Sequence, residues 1–161
     1  MVWFSKKPSW ETVYAERIYE SLAASDDLGD ITPEKLRVPT AAYQQYRDKA
    51  LLQREAMCLI ALMVSADKDK APNLLPVLRE FGRVLEAKLT ARGLQVDIDK
   101  LADSAAADVA EMTADPFAWA QRWLAEFRND PNDNYMVALF ADHCLKQYSA
   151  FKHAIETTRP K

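Results

Sequence analysis

The feature that most constrains this chain is an unbroken apolar run over residues 56–64, inside a longer stretch without Gly or Pro. That stretch, residues 40–66, predicts a helix of roughly 40 Å at a rise of about 1.5 Å per residue. Its first half is amphipathic, whereas beyond Glu55 apolar residues occupy the opposite face as well. Because a helix that is apolar all round must be enclosed, we expect residues 40–66 to form the central buried helix of a bundle.

The apolar run does not indicate a membrane span. A bilayer-spanning helix needs about 20 apolar residues, and charged side chains flank this run at Arg54, Glu55 and residues 67–70. The amino terminus also lacks an apolar segment long enough for a secretory signal. We therefore expect no transmembrane segment and a cytoplasmic location.

Composition favours helices over sheets. Only 3 Gly occur among 161 residues, and sheet proteins need Gly at many of their tight turns. A chain of this length fits one domain with a core of its own. The fold class that we expect is all-α, a single-domain bundle of about five or six helices. The domain covers residues 1–161, with an apolar N-terminal arm at residues 1–8 and a frayed tail at residues 158–161.

Capping residues mark several helix starts. Ser9 is a good N-cap for a first helix, and Asp97 for a fourth. Asp115 precedes Pro116, which suits a first helical position because the missing N–H would have no intrahelical partner there. In the first helix we expect one i, i+4 row to face the core: Trp10, Tyr14, Ile18 and Leu22.

Gly82, Cys58 and Cys144 lie within predicted helices, at positions that indicate close packing or burial. Gly82 falls in the middle of the predicted third helix, where Gly costs about 1 kcal/mol relative to Ala. Such a position indicates the close approach of another backbone, with a hinge as the alternative. Cys58 and Cys144 lie on apolar stripes of predicted helices, so we expect two buried, reduced thiols.

Motifs that resemble reactive or metal sites fail on inspection. A calcium loop beginning at Asp130 would need Gly and Glu where Tyr135 and Ala141 stand. His143 and Cys144 are neighbours on a predicted helix, and neighbouring side chains diverge by about 100°, so they cannot form a catalytic pair with each other. With 2 His and no Cys-x-x-Cys, a closed zinc site has too few ligands of its own. We expect no metal and no cofactor.

Aromatic residues supply the candidate binding positions. The fifth helix has an apolar arc wider than one neighbour can cover, with Trp119 at one margin and Phe117 at the other. Trp119 belongs either to the core or to a groove shared with the sixth helix near His143. Trp3 and Phe4, in the N-terminal arm, either cover the helical body or contact a partner.

The functional expectation is a non-enzymatic helical module that binds a protein partner or associates with itself. The net charge of −3 has its basic residues interleaved with acids, so we expect no nucleic-acid partner. Two alternatives stay open. One is a binder of a small apolar ligand between helices, and the other is an enzyme that uses His143 with carboxylates from other helices.

Overall fold

The computed structural model of the chain describes residues 7–23, 32–68, 74–127 and 134–158. Over these ranges the chain forms six α-helices and no strand. Their bounds are α1 (Trp10–Ile18), α2 (Tyr43–Lys68), α3 (Leu74–Ala91), α4 (Ile98–Ala114), α5 (Pro116–Ala125) and α6 (Asn134–Thr158). A π-helical turn, Tyr19–Ala23, follows α1, and a 3-10 turn, Thr40–Ala42, leads into α2. The prediction of an all-α bundle is confirmed.

The central position of α2 is confirmed too. It packs against α3, α4 and α6, and against the π-helical turn. Residues 57–62 are each at most 5% exposed, as enclosure on every side requires. The enclosure ends at Val64, which is 40% exposed. No helix in the described part of the chain is long and apolar enough to cross a membrane.

The predicted caps are found where the structure describes them. The side chains of Ser9, Asp97 and Asp115 accept hydrogen bonds from backbone N–H groups in the first turns of α1, α4 and α5. Each cap satisfies a donor that the helix itself leaves unpaired. Gly93, at φ +80°, follows α3 in the left-handed conformation that Gly adopts without strain.

The expected core face of α1 is partly wrong. Trp10 is 47% exposed, whereas Ala15, Ile18 and Tyr19 are buried. The buried face lies one residue away from the predicted row because Tyr19 turns inward to a buried partner, Glu55, as the π-helical turn begins. The remaining side of α1 is therefore open at Trp10.

Gly82 marks the place where α3 meets α4. A Cβ built on Gly82 would lie 3.6 Å from Cγ2 of Ile98, which is an ordinary contact distance. The expectation of a backbone at close range is thus wrong, since the neighbour is a side chain of α4. Both cysteines are buried free thiols, as predicted, and burial raises the pKa of Cys58 and of Cys144 to about 12.

Candidate functional site

Trp119, the leading sequence-predicted binding residue, lies in the core. It is 2% exposed, and its ring stacks on Phe140 of α6 with centroids 5.9 Å apart and planes 10° from parallel. Its indole N–H donates to Oδ1 of Asp108 on α4 at 2.7 Å. A buried indole N–H needs such an acceptor, so this bond locks α5 onto α4.

The outer edge of Trp119 lines an open depression between α2, α4 and α5, which we term the Trp groove. The Trp groove encloses about 410 Å³. Side-chain bridges already join the helices that form it: besides the Trp119–Asp108 bond, Arg122 pairs with Glu111 at 2.8 Å and Lys49 with Glu126 at 2.6 Å. These polar groups pair with one another across the Trp groove. We therefore interpret the Trp groove as a contact line between packed helices.

His143 does not line the Trp groove. It is half-buried on α6 beside a separate cavity of about 20 Å³, which it shares with Cys144 and Arg54. That volume holds about one water molecule. The structure therefore does not bring Trp119 and His143 together around one cavity, although Trp123 borders both spaces.

The other predicted binding residues are Phe117, Trp3 and Phe4. Phe117, in the first turn of α5, is 38% exposed and lines neither of these spaces. Trp3 and Phe4 lie outside the described residues. The described chain next to them, at Pro8 and Trp10, borders an apolar depression of about 720 Å³ between α1 and α6, which we term the α1 groove.

A further depression, which sequence reasoning missed, lies between α2, α3 and α4 and encloses about 680 Å³. We term it the Met63 groove. Its lining residues are Leu59, Met63, Leu78, Arg79, Gly82, Arg83, Glu86, Asp97, Ile98, Asp99 and Ala102. The floor is the apolar side of α2 at Leu59 and Met63. α3 forms one wall, and the first turns of α4 with their N-cap Asp97 form the other.

The two walls of the Met63 groove carry opposite charges. Arg79, Arg83 and Glu86 lie on the α3 wall, which is therefore net positive, and Asp97 and Asp99 lie on the α4 wall. Among the described residues, no hydrogen bond or ion pair links one wall to the other. Arg83 pairs with Glu80 of its own helix at 2.5 Å, and Asp97 caps its own helix. In the Trp groove, polar side chains pair between the helices. In the Met63 groove, the described polar side chains of one wall do not pair with those of the other.

The polar side chains that line the Met63 groove are carboxylates and guanidinium groups. The described residues that line it include no His, Cys or Ser. Within the described ranges, no three His, Cys, Asp or Glu side chains gather where they could hold a metal ion. Two signals in the sequence point to this groove in retrospect: the apolar residues beyond Glu55 on α2, and Gly82 within α3.

Comparisons of the chain with protein-family models, with curated proteins and with solved structures gave no match. The fold and the groove define the class: an all-α bundle with an open apolar groove on its central helix. Function is assigned from the groove itself, because a fold alone does not determine what a protein does.

Proposed function

We propose that this protein is a non-enzymatic helical module that binds a protein partner, and that the Met63 groove is the binding surface. One observation carries the proposal. The apolar floor, formed by the buried Leu59 and the half-buried Met63, lies between two walls whose opposite charges do not pair across it. A concave surface with an apolar floor and a few polar groups at its rim is the usual form of a binding site.

The dimensions of the groove favour a segment of protein over a small ligand. Small-molecule sites enclose most of their ligand, whereas this groove is open along one side. The cavity beside His143 is more enclosed but has room for about one water molecule. The alternative of a small apolar ligand therefore has no suitable space at that site.

The enzyme alternative gains no support from the surroundings of His143. Its neighbour Cys144 is buried, and burial raises the pKa of that thiol to about 12, far from the value of a reactive cysteine. The adjacent cavity is too small for a substrate. A binding function accounts for the open groove without requiring a reaction.

A library of displayed peptides tests the proposal. Peptides selected on the immobilised protein are measured for affinity to the wild type, to Ala102→Glu and to Ala106→Glu. Ala102 lines the Met63 groove, while Ala106, one turn further along α4, is exposed outside the lining. We expect Ala102→Glu to weaken binding by about tenfold or more, and Ala106→Glu to leave it unchanged.

Equal binding to all three proteins would contradict the proposal, as would a selection that enriches no peptide. The thermal midpoint of each variant is measured alongside, so that a loss of fold is not mistaken for a loss of binding. Met63→Glu, which changes the floor of the groove, is the second variant if Ala102→Glu does not fold.

A further inference from the structure

Building on the proposed function, we infer that the partner of the Met63 groove is a short amphipathic helix, with acidic residues along one flank and basic residues along the other. The proposed function requires only that some protein segment binds. The conformation and the charges of that segment follow from the groove.

The helical conformation follows from backbone hydrogen bonding. An extended peptide that binds by strand addition needs the exposed edge of a sheet, and the described part of this chain contains no strand. A polyproline II segment docks in aromatic-lined grooves, and the described lining of the Met63 groove includes no aromatic residue. A helix pairs its own backbone groups and presents only side chains to the floor.

A short helix is enough to present an apolar row to the floor. Residues at i, i+3, i+4 and i+7 share one face over about 10 Å, so two to three turns of helix present one apolar row. Met63 adds an unbranched, adaptable side chain to the floor, as surfaces that receive apolar helices often do.

The charges of the walls set the flanks of the helix. Arg79 and Arg83 are four residues apart and so lie on the same side of α3, where they attract carboxylates. Asp97 and Asp99 on the opposite wall attract Lys or Arg. Glu86, one turn beyond Arg83, gives that end of the α3 wall a negative charge. A bound helix that ran in the opposite direction would place its flank charges against like charges, so the pattern favours one direction.

A second copy of the chain is a poorer occupant of this groove. Two identical faces that meet about a twofold axis would set one concave floor against another and leave a void between them. Atoms that line a void lack the van der Waals contacts that stabilise an interface. A convex helix fills the same space.

Three synthetic peptides test the inference, each of about 14 residues and identical in its apolar row. The matched peptide carries Glu along one flank and Lys along the other. The mixed peptide has the same composition with Glu and Lys on both flanks, and the broken peptide is the matched one with a central Pro. We expect the matched peptide to bind about tenfold or more tightly than either of the others, because Pro interrupts the helix and mixing places like charges against each wall.

Charge reversal on the protein supplies the reciprocal test. The double variant Arg79→Glu, Arg83→Glu makes both walls acidic. It should bind the matched peptide about tenfold more weakly and should prefer a peptide with Lys on both flanks. Lys146→Glu is the control, since Lys146 is an exposed residue of α6 outside the groove.

The outcomes separate the inference from the proposed function. Equal affinity for the matched and mixed peptides, with both lost in Ala102→Glu, would overturn the charge pattern and leave groove binding intact. Undiminished binding of the broken peptide would contradict the helical conformation of the bound partner. Binding of library peptides but of none of the designed ones would overturn the inference alone. A dimer of the free protein that Ala102→Glu dissociates would show that a second copy occupies the groove, and would overturn it as well.

Discussion

Glu55 is the buried charge that ties three helices together. Its carboxylate is fully buried in α2 and accepts a hydrogen bond from the hydroxyl of Tyr19 at 2.7 Å. The guanidinium of Arg92, just after α3, donates to both carboxylate oxygens at 3.1 and 2.5 Å. A buried carboxylate is tolerated only when it is paired and hydrogen-bonded in this way. The three residues therefore fix the ends of α1 and α3 against the middle of α2.

Removing one donor from Glu55 should destabilise the fold. We expect Tyr19→Phe to lower the free energy of unfolding by about 1–3 kcal/mol, because it removes a buried hydrogen bond to a charged acceptor. Denaturant unfolding measures the change. Tyr135→Phe is the control, since Tyr135 is 70% exposed and should change stability by less than about 0.5 kcal/mol. Similar values for the two variants would show that the Tyr19 hydroxyl contributes nothing.

The same hydroxyl gives a dependence on alkaline pH. Burial, together with the hydrogen bond to Glu55, raises the pKa of Tyr19 to about 12, while an unfolded Tyr titrates near about 10. A raised pKa means that the unfolded state loses its proton first, so this stabilisation is complete below pH 10 and is lost as pH rises towards 12. We expect the thermal midpoint to fall less steeply over this interval in Tyr19→Phe than in the wild type. Parallel curves would contradict the assignment.

Trp119 supplies a test of the core near the Trp groove. Because the ring is 2% exposed and stacked on Phe140, we expect Trp119→Ala to cost about 3–5 kcal/mol, as truncated core aromatics do. Trp123→Ala should be comparably severe, since Trp123 packs against Phe140 and Tyr46. A cost below about 1 kcal/mol for Trp119→Ala, together with lost peptide binding, would move the binding surface from the Met63 groove to the Trp groove.

Trp119 also shows what a helical pattern can predict at the residue scale. The periodicity of α5 predicts the direction of the side chain, and that direction is consistent with both the core and a groove. The contacts of Trp119 with Asp108 of α4 and Phe140 of α6 place it in the core. Both partners are on other helices, so the pattern of α5 alone could not predict these contacts. The pairing of Glu55 with Tyr19 and Arg92 was likewise not predictable, because it joins residues more than 30 positions apart.

At the scale of elements, α1 presents an open side. Trp10 is 47% exposed and borders the α1 groove, together with Tyr14 and Leu22. The residues that precede Pro8 include Val2, Trp3 and Phe4, which lie outside the described residues. The apolar N-terminal arm stays a prediction, and the α1 groove is the apolar surface nearest to where the described chain begins.

Deleting residues 1–7 tests whether the arm covers apolar surface. We expect the thermal midpoint to fall while the helical circular dichroism stays unchanged, because Trp3 and Phe4 would bury area worth about 25 cal/mol per Å². The variant Trp3→Ser, Phe4→Ser in the full-length chain is the matched control and should reproduce the fall. An unchanged midpoint in both would show that the arm does not stabilise the fold, and would make it a candidate for partner contact.

The positions of the helices in the sequence were largely predictable, but the way in which the helices pack against one another was not. Caps at Ser9, Asp97 and Asp115 and the course of α2 follow from local rules, since each depends on residues within one or two turns. The Met63 groove depends on how α3 and α4 are placed on α2. Periodicity shows which side of α2 is apolar at Met63 but not whether another helix covers it. For the same reason, the exposure of Trp10 on α1 was missed.

At the scale of the whole molecule, the aromatic core contacts and the proposed binding surface lie in different places. The aromatic contacts of Tyr46, Trp123 and Phe140 join α2, α5 and α6. The Met63 groove is formed by α2, α3 and α4, and Leu59 and Met63 on its floor come from the carboxyl-terminal half of α2. This separation lets variants of the groove change binding while the core contacts stay intact.

The most direct test of the binding surface is an NMR titration of the isotope-labelled protein with the matched peptide. We predict that the largest backbone amide shifts fall on residues 59–63, 78–86 and 97–102, which contribute the floor and walls of the Met63 groove. The same titration of Ala102→Glu should need about tenfold or more peptide to give shifts of the same size. Shifts that cluster at residues 104–111 and 119–126 of the Trp groove, or no shifts at saturating peptide, would contradict the assignment of the Met63 groove as the binding surface.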